Sequence, residues 1–151
     1  MTLRVREIDR AAQSLRIAVH PLGVREPAEF EDAFAAMRRD RPDALMLVTD
    51  ALTGLNRKQV IAFAAATQIP TMYEYAYLVR DGGLISYGPD PEAAHARVAT
   101  FVDRIARGAR PHDLPIEQPE RYELYINLST AKALGLAVPN SVLLRASGTV
   151  E

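Results

Sequence analysis

The chain has 151 residues, 48% of them hydrophobic and 25% charged, with a formal net charge of -1. That is enough apolar material for a folded core in the size range of one α/β domain, without the basic excess that nucleic-acid binding requires. The absence of cysteine removes disulfides, thiolate catalysis, cysteine-type zinc clusters and lipid attachment through cysteine.

The segment from Met1 to His20 is charged throughout and has no long apolar core, so it is expected to be neither a secretory signal nor a membrane anchor. Residues up to Gln13 read as helix or frayed tail. Leu15 to His20 (LRIAVH) is a short apolar, β-branched run closed by Pro21 and Gly23, and it predicts a strand. Pro27 occupies a favoured first helical position. Phe30, Phe34 and Met37 then recur at helical spacing beside Ala33 and Ala36, predicting a helix with one buried face. Asp43 to Thr49 is almost wholly apolar, as expected of a strand covered on both faces. Asn56 and Gln59 suggest a capping-box variant ahead of a helix through Val60, Ile61, Phe63 and Ala64 to about Gln68. Ile69 to Tyr73 predicts a third strand, with Pro70 at its start, where proline is tolerated.

Gly82-Gly83 marks a turn, and Leu84 to Tyr87 predicts a fourth strand that Gly88 and Pro89 end. Asp90 caps a long helix with Pro91 as its first residue. Its apolar stripe is Ala94, Val98, Phe101, Val102 and Ile105, and Gly108 stops it. Ala109 to Pro119 reads as an extended connector. In Arg121 to Asn127, Tyr122, Leu124 and Ile126 alternate with Glu123, Tyr125 and Asn127, which predicts a strand with one buried face. Ser129 caps a short helix ended by Gly135, and Pro139 to Leu144 begins another short element. Alternating strands and helices predict an α/β fold, doubly wound on a mostly parallel sheet with right-handed crossovers.

Four ordered motifs stand out: Gly82 to Pro89 (GGLISYGP), Gly108 to Pro119 (GARPHDLPIEQP), Tyr125 to Leu128 (YINL) and Thr130 to Leu136 (TAKALGL). With Pro42 to Asp50 and the helix after it, they make the chain from about Leu15 onward resemble a bacterial family of ABC-transporter substrate-binding proteins. The resemblance implies a type I periplasmic-binding-protein fold, in which two α/β lobes close by a hinge on a ligand between them. A full member carries a secretion signal, an N-terminal lobe and the first strand of the C-terminal lobe. The chain is therefore expected to correspond to the C-terminal part only. Residues 1–88 would be a partial C-terminal lobe, and residues 89–151 a crossover helix, connector and C-terminal strand and helices.

The resemblance also implies a small-molecule ligand, an aromatic or other amino acid being the example at hand, and an ABC permease as partner. It implies a periplasmic or extracytoplasmic location, whereas the visible N-terminus taken alone points to the cytoplasm. In the family the long helix packs on the N-terminal lobe, so its stripe is expected to need cover. That lobe, a swapped element, or a second copy in a homo-oligomer through residues 91–107 would supply it. A truncated cytoplasmic α/β protein that oligomerises without a transport role is the alternative. An enzyme on a flavodoxin-like domain is a third reading, which fold alone does not exclude.

In open parallel sheets ligands bind outside the carboxyl ends of the strands. Asp50, at the end of an apolar strand, suits a ligand amino group; a carboxylate there equally suits the capping of a nearby backbone group. Tyr73, Tyr75 and Tyr77 lie close together around Glu74, and such aromatics either sandwich an apolar ligand or pack in the core. Tyr73, Glu74 and Tyr75 join Asp50 as the expected ligand-binding residues, although alternation could turn Glu74 away from the tyrosines. Ser86, Tyr87, Gly88 and Pro89 fall in a matched motif and are expected to be hinge or crossover residues. No catalytic residue, cofactor or metal is expected. His20, His95 and His112 lack ligand spacing, and no nucleophile elbow or phosphate loop is present.

Overall fold

The computed structural model describes residues 3–119 and 121–151. They fall into two compact units, one up to Asp40 and the other Arg41–Glu151.

The first unit holds α1 (Leu3–Leu15) and α2 (Glu29–Arg39). The strand expected over Leu15 to His20 does not form. Leu15 ends α1, Arg16 turns into the left-handed region at φ 57°, and the Ile17 amide donates back to the Ala12 carbonyl at 2.9 Å. That closes the helix as a C-terminal motif does, and no described strand pairs with the residues after it. Ile17 is accordingly 58% exposed. α2 follows the predicted pattern: Phe30, Phe34 and Met37 are buried, and the two rings sit 6.0 Å apart. Its first turn carries Glu29, Glu31 and Asp32 and its last Arg38 and Arg39, the arrangement the helix dipole favours.

The second unit is a five-stranded sheet in the order β1-β2-β3-β4-β5, formed by Leu45–Met46, Thr71–Tyr73, Ile85–Pro89, Tyr122–Asn127 and Gly148–Val150. β1, β2 and β3 are parallel, β4 is antiparallel to β3, and β5 is parallel to β4. The sheet is thus mixed and mostly parallel. The fifth strand carries no signal in the sequence reading. Between the strands lie α3 (Ala51–Leu55), α4 (Arg57–Thr67), α5 (Ala76–Arg80), α6 (Pro91–Ala106), α7 (Leu128–Ala133) and α8 (Asn140–Leu143). Buried Val60, Phe63, Ile69, Tyr73, Leu78, Val79 and Ile126 belong to this unit's core.

Three local expectations are corrected. Gly88 and Pro89 do not end β3; they pair with Glu123 and Tyr122 of β4. β2 pairs with β3 only as far as Ser86, so Pro89 sits where β3 has one neighbour and its missing N–H breaks no second ladder. Asn56 makes no side-chain cap on α4, because its carboxamide oxygen accepts from the Gln59 side chain at 3.0 Å instead. Asn127, not Ser129, caps α7, accepting from the Thr130 amide at 2.8 Å. Asp90 caps α6 as expected, accepting from the amides of Glu92 and Ala93.

α6 has no buried residue; Val98, Val102 and Ile105 remain exposed along it. Arg97 pairs with Glu117 and lies 5.9 Å from the Phe101 ring centroid, which ties the helix to the connector.

Two glycines set how closely the strands and turns approach. A Cβ on Gly83 would meet the Tyr73 ring at 2.5 Å and the Leu78 carbonyl at 2.8 Å, and one on Gly88 would land on the Glu74 carbonyl oxygen. Gly88→Ala is therefore expected to lose about 3 kcal/mol of stability in urea unfolding. Gly23→Ala, where nothing lies within 4 Å, should stay within about 0.5 kcal/mol of the parent. Equal midpoints for the two variants would show that the approach at Gly88 is not tight.

Candidate functional site

The parallel strands β1 and β2 release the chain at the same edge of the sheet, and the residues that follow them converge. The Thr49 amide donates to Glu74 Oε2 at 2.8 Å, so the carboxylate after β2 holds the backbone after β1. Asp50 is extended and starts α3. Its Oδ1 accepts from the Thr53 amide at 2.8 Å, while its own amide donates to Thr53 Oγ1 at 2.8 Å. This reciprocal capping box satisfies two backbone donors that the helix start would otherwise leave open.

Tyr75 and Tyr77 stack with centroids 5.8 Å apart and planes 12° off parallel. The Arg57 guanidinium lies 5.6 Å from the Tyr77 centroid. Its Nε donates to Asp81 Oδ2 at 2.6 Å and its Nη1 to the Gly54 carbonyl at 3.1 Å. The Tyr77 hydroxyl is held above its ordinary pKa, mainly by desolvation; Arg57 opposes the shift, and Tyr75, Asp81 and Glu74 add to it.

Of the residues singled out in the sequence, Asp50, Glu74 and Tyr75 come together at this edge. Tyr73 does not: it is 2% exposed and packs beneath Gly83 in the core. Asp50 takes the capping role, one of the two readings open to it, and its side chain stays at an exposed position. Ser86 is fully buried on β3, and its hydroxyl has no hydrogen-bond partner among the described residues. Tyr87 points to the opposite face of the strand, 52% exposed and stacked on Tyr122 at 5.8 Å. Gly88 and Pro89 continue the β3–β4 ladder.

Thr53, Arg57 and Asp81 were missed. Thr53 follows Asp50 at capping-box spacing and was open to recognition. Arg57 begins α4 and Asp81 follows α5, and only the fold pairs them. An open apolar groove lined by Leu128, Ala131, Lys132, Leu136, Val138 and Leu143 lies on α7 and α8. It is at the other edge of the sheet, since α7 follows β4 and β4 runs against β3. The strand-end cluster holds the convergent carboxylates and aromatics that a polar solute needs, and the groove does not. Among the described residues no group of three or more metal-binding side chains occurs, and no helix is long and apolar enough to cross a membrane.

The model of the ABC transporter substrate binding protein family matches residues 2–150. No curated protein matches the chain. Among solved structures, a conserved domain protein from Vibrio cholerae is similar at 23% identity and a TM-score of 0.89, over 96% of this chain and 49% of that one. An ABC domain from Streptococcus pneumonia, solved in complex with L-Trp, has 22% identity and a TM-score of 0.89, covering 97% of this chain and 51% of the other. A ligand-free, open substrate-binding protein with adhesive properties from Clostridium difficile has 20% identity and a TM-score of 0.68, with 99% and 50% covered. The chain thus spans about half the length of these structures, which share its fold.

Burial pushes the Tyr73 hydroxyl up from 10.0 to about 12, against a smaller opposing contribution from Thr71. The folded state therefore keeps its proton where the unfolded chain loses it. The stability linked to this group is complete below pH 10.0 and is lost as the pH climbs toward about 12, amounting to ~3 kcal/mol. Tyr73→Phe should abolish that part of the alkaline loss in urea unfolding followed from neutral pH upward. An unchanged alkaline slope in the variant would assign the loss to other groups.

Proposed function

We propose that this chain, which belongs to the family of ABC transporter substrate-binding proteins, supplies one wall of a solute receptor for an ABC importer and carries out no chemistry of its own. The observation that carries this reading is the convergence of Asp50, Glu74, Tyr75 and Tyr77 beyond the carboxyl ends of β1 and β2, where open α/β sheets receive ligands. A carboxylate at a half-exposed edge attracts an amino group, and neighbouring tyrosines offer apolar faces with polar rims. An amino acid with a flat apolar side chain combines those features, and the L-Trp held by the pneumococcal relative has that chemistry.

In this proposal a second lobe supplies the opposite wall, as part of a longer protein about twice the size of this chain. The exposed row of Val98, Val102 and Ile105 on α6 is the surface that another folded unit covers: that lobe, or a second copy through residues 91–107 where the chain acts alone. Ser86, Tyr87, Gly88 and Pro89 lie on the strand that leads into α6 and so serve the crossover. Capture outside the cytoplasmic membrane and delivery to a permease complete the role.

The chain contains no tryptophan, so indole emission in a titration with L-tryptophan reports the ligand alone. A saturable blue shift is expected, in the millimolar range because a single wall forgoes the desolvation and preorganisation that two walls provide. Asp50→Asn should weaken binding roughly tenfold, as for loss of a charged hydrogen-bond partner. No saturable change with any amino acid would set the receptor reading aside.

A further inference from the structure

We propose that Arg57 is a positioning residue that sets the receptor wall's preference for flat solutes, by holding Tyr75 and Tyr77 stacked; this rests on the reading of the strand-end cluster as the solute site. Tyr75 and Tyr77 are two residues apart, at and just inside the start of α5. Neighbours at that spacing do not face each other on a helix, so their near-parallel stacking needs outside support. Tyr75 meets the requirement in part by being extended, at φ -121° and ψ 143°, ahead of the helix.

Arg57 supplies the rest. Its guanidinium lies against the Tyr77 ring and is fixed at two further points, the Asp81 carboxylate and the Gly54 carbonyl. Those anchors come from α3 and from the residue that ends α5, so one side chain links the segments after β1 and β2. A planar, delocalised cation can stack on a ring while its edge nitrogens hold two acceptors, which an ammonium cannot match. Arg57 and Asp81 are about one-third exposed, at 31% and 34%. The pair therefore adds little to global stability, and its effect is local orientation. Desolvation raises the Tyr77 pKa, and the Arg57 cation beside the ring acts in the opposite direction.

The test compares the parent with Arg57→Met, Arg57→Lys and Asp81→Asn, after far-ultraviolet circular dichroism has verified folding. The tyrosine band in near-ultraviolet circular dichroism, without ligand, reads the stack, and Tyr77→Leu calibrates the part due to this pair. Titrations with L-tryptophan and L-leucine then give a flat-to-branched preference. Arg57→Met is expected to lose most of the calibrated band and to lower the preference about fivefold, with Asp81→Asn and Arg57→Lys intermediate. A merely structural residue would weaken both ligands equally. An unchanged band, or an unchanged preference despite a lost band, overturns the inference. If the parent binds neither amino acid, the receptor reading falls while the band still decides whether Arg57 orders the tyrosines.

Discussion

The second unit depends on how Glu74 is held between its neighbours. On one side its carboxylate accepts the Thr49 amide, joining the ends of β1 and β2. On the other its backbone carbonyl lies so close to β3 that only a glycine fits at position 88. Three parallel strands are thus brought to a common edge at one residue. A short parallel ladder would otherwise be weakly specified: β1 spans Leu45–Met46 and β2 spans Thr71–Tyr73, with few backbone bonds to define register. A charge-assisted bond at the ladder's end, with a steric stop behind it, fixes what the ladder alone leaves loose.

That arrangement separates buried from partly exposed groups within three consecutive residues. Tyr73 faces inward beneath Gly83, Glu74 spans the strand ends, and Tyr75 emerges at the start of α5. Alternation alone would turn Tyr73 and Tyr75, two residues apart, to the same face; β2 ends at Tyr73, and the turn of the backbone into α5 sends Tyr75 to the edge instead. Asp50 shows a comparable economy. Its capping bonds orient a carboxylate that also stands at the rim, so the helix start preorganises the group that a solute would meet.

The elements legible in the sequence were those whose signals are local. The Asp90-Pro91 start of α6 and the helical spacing of Phe30, Phe34 and Met37 need no distant partner to be read. The apolar run from Asp43 marks where β1 lies but not its extent or cover, since only Leu45–Met46 pair and Met46 is 52% exposed. The misread ones are decided elsewhere in the chain. Leu15 to His20 has strand-like composition, but a strand exists only where another pairs with it, and the closing turn of α1 takes Leu15 first. Gly88 and Pro89 look like a stop until β4 arrives from the other side of α6 to pair with them. In the site, the position of Asp50 follows from strand order, whereas the pairing of Arg57 with Asp81 links residues 24 apart in the chain and belongs to the fold alone.

Under the proposed function, this unit would be one half of a binding transition. The Glu74 bridge, the Asp50 cap and the braced tyrosines all lie in the segments that follow the parallel strands, and each is held by contacts within this unit. Their order exists without a solute, so capture in the proposed receptor would not have to supply it. What such a wall cannot supply by itself is exclusion of water, because the edge faces solvent. In that reading affinity would come from the closing of a second surface, which would strengthen the electrostatic contacts already in place by lowering the local dielectric. In the proposed receptor, specificity and tightness would in this way be divided: the strand ends would choose the solute's shape and charge, and closure would convert that choice into retention.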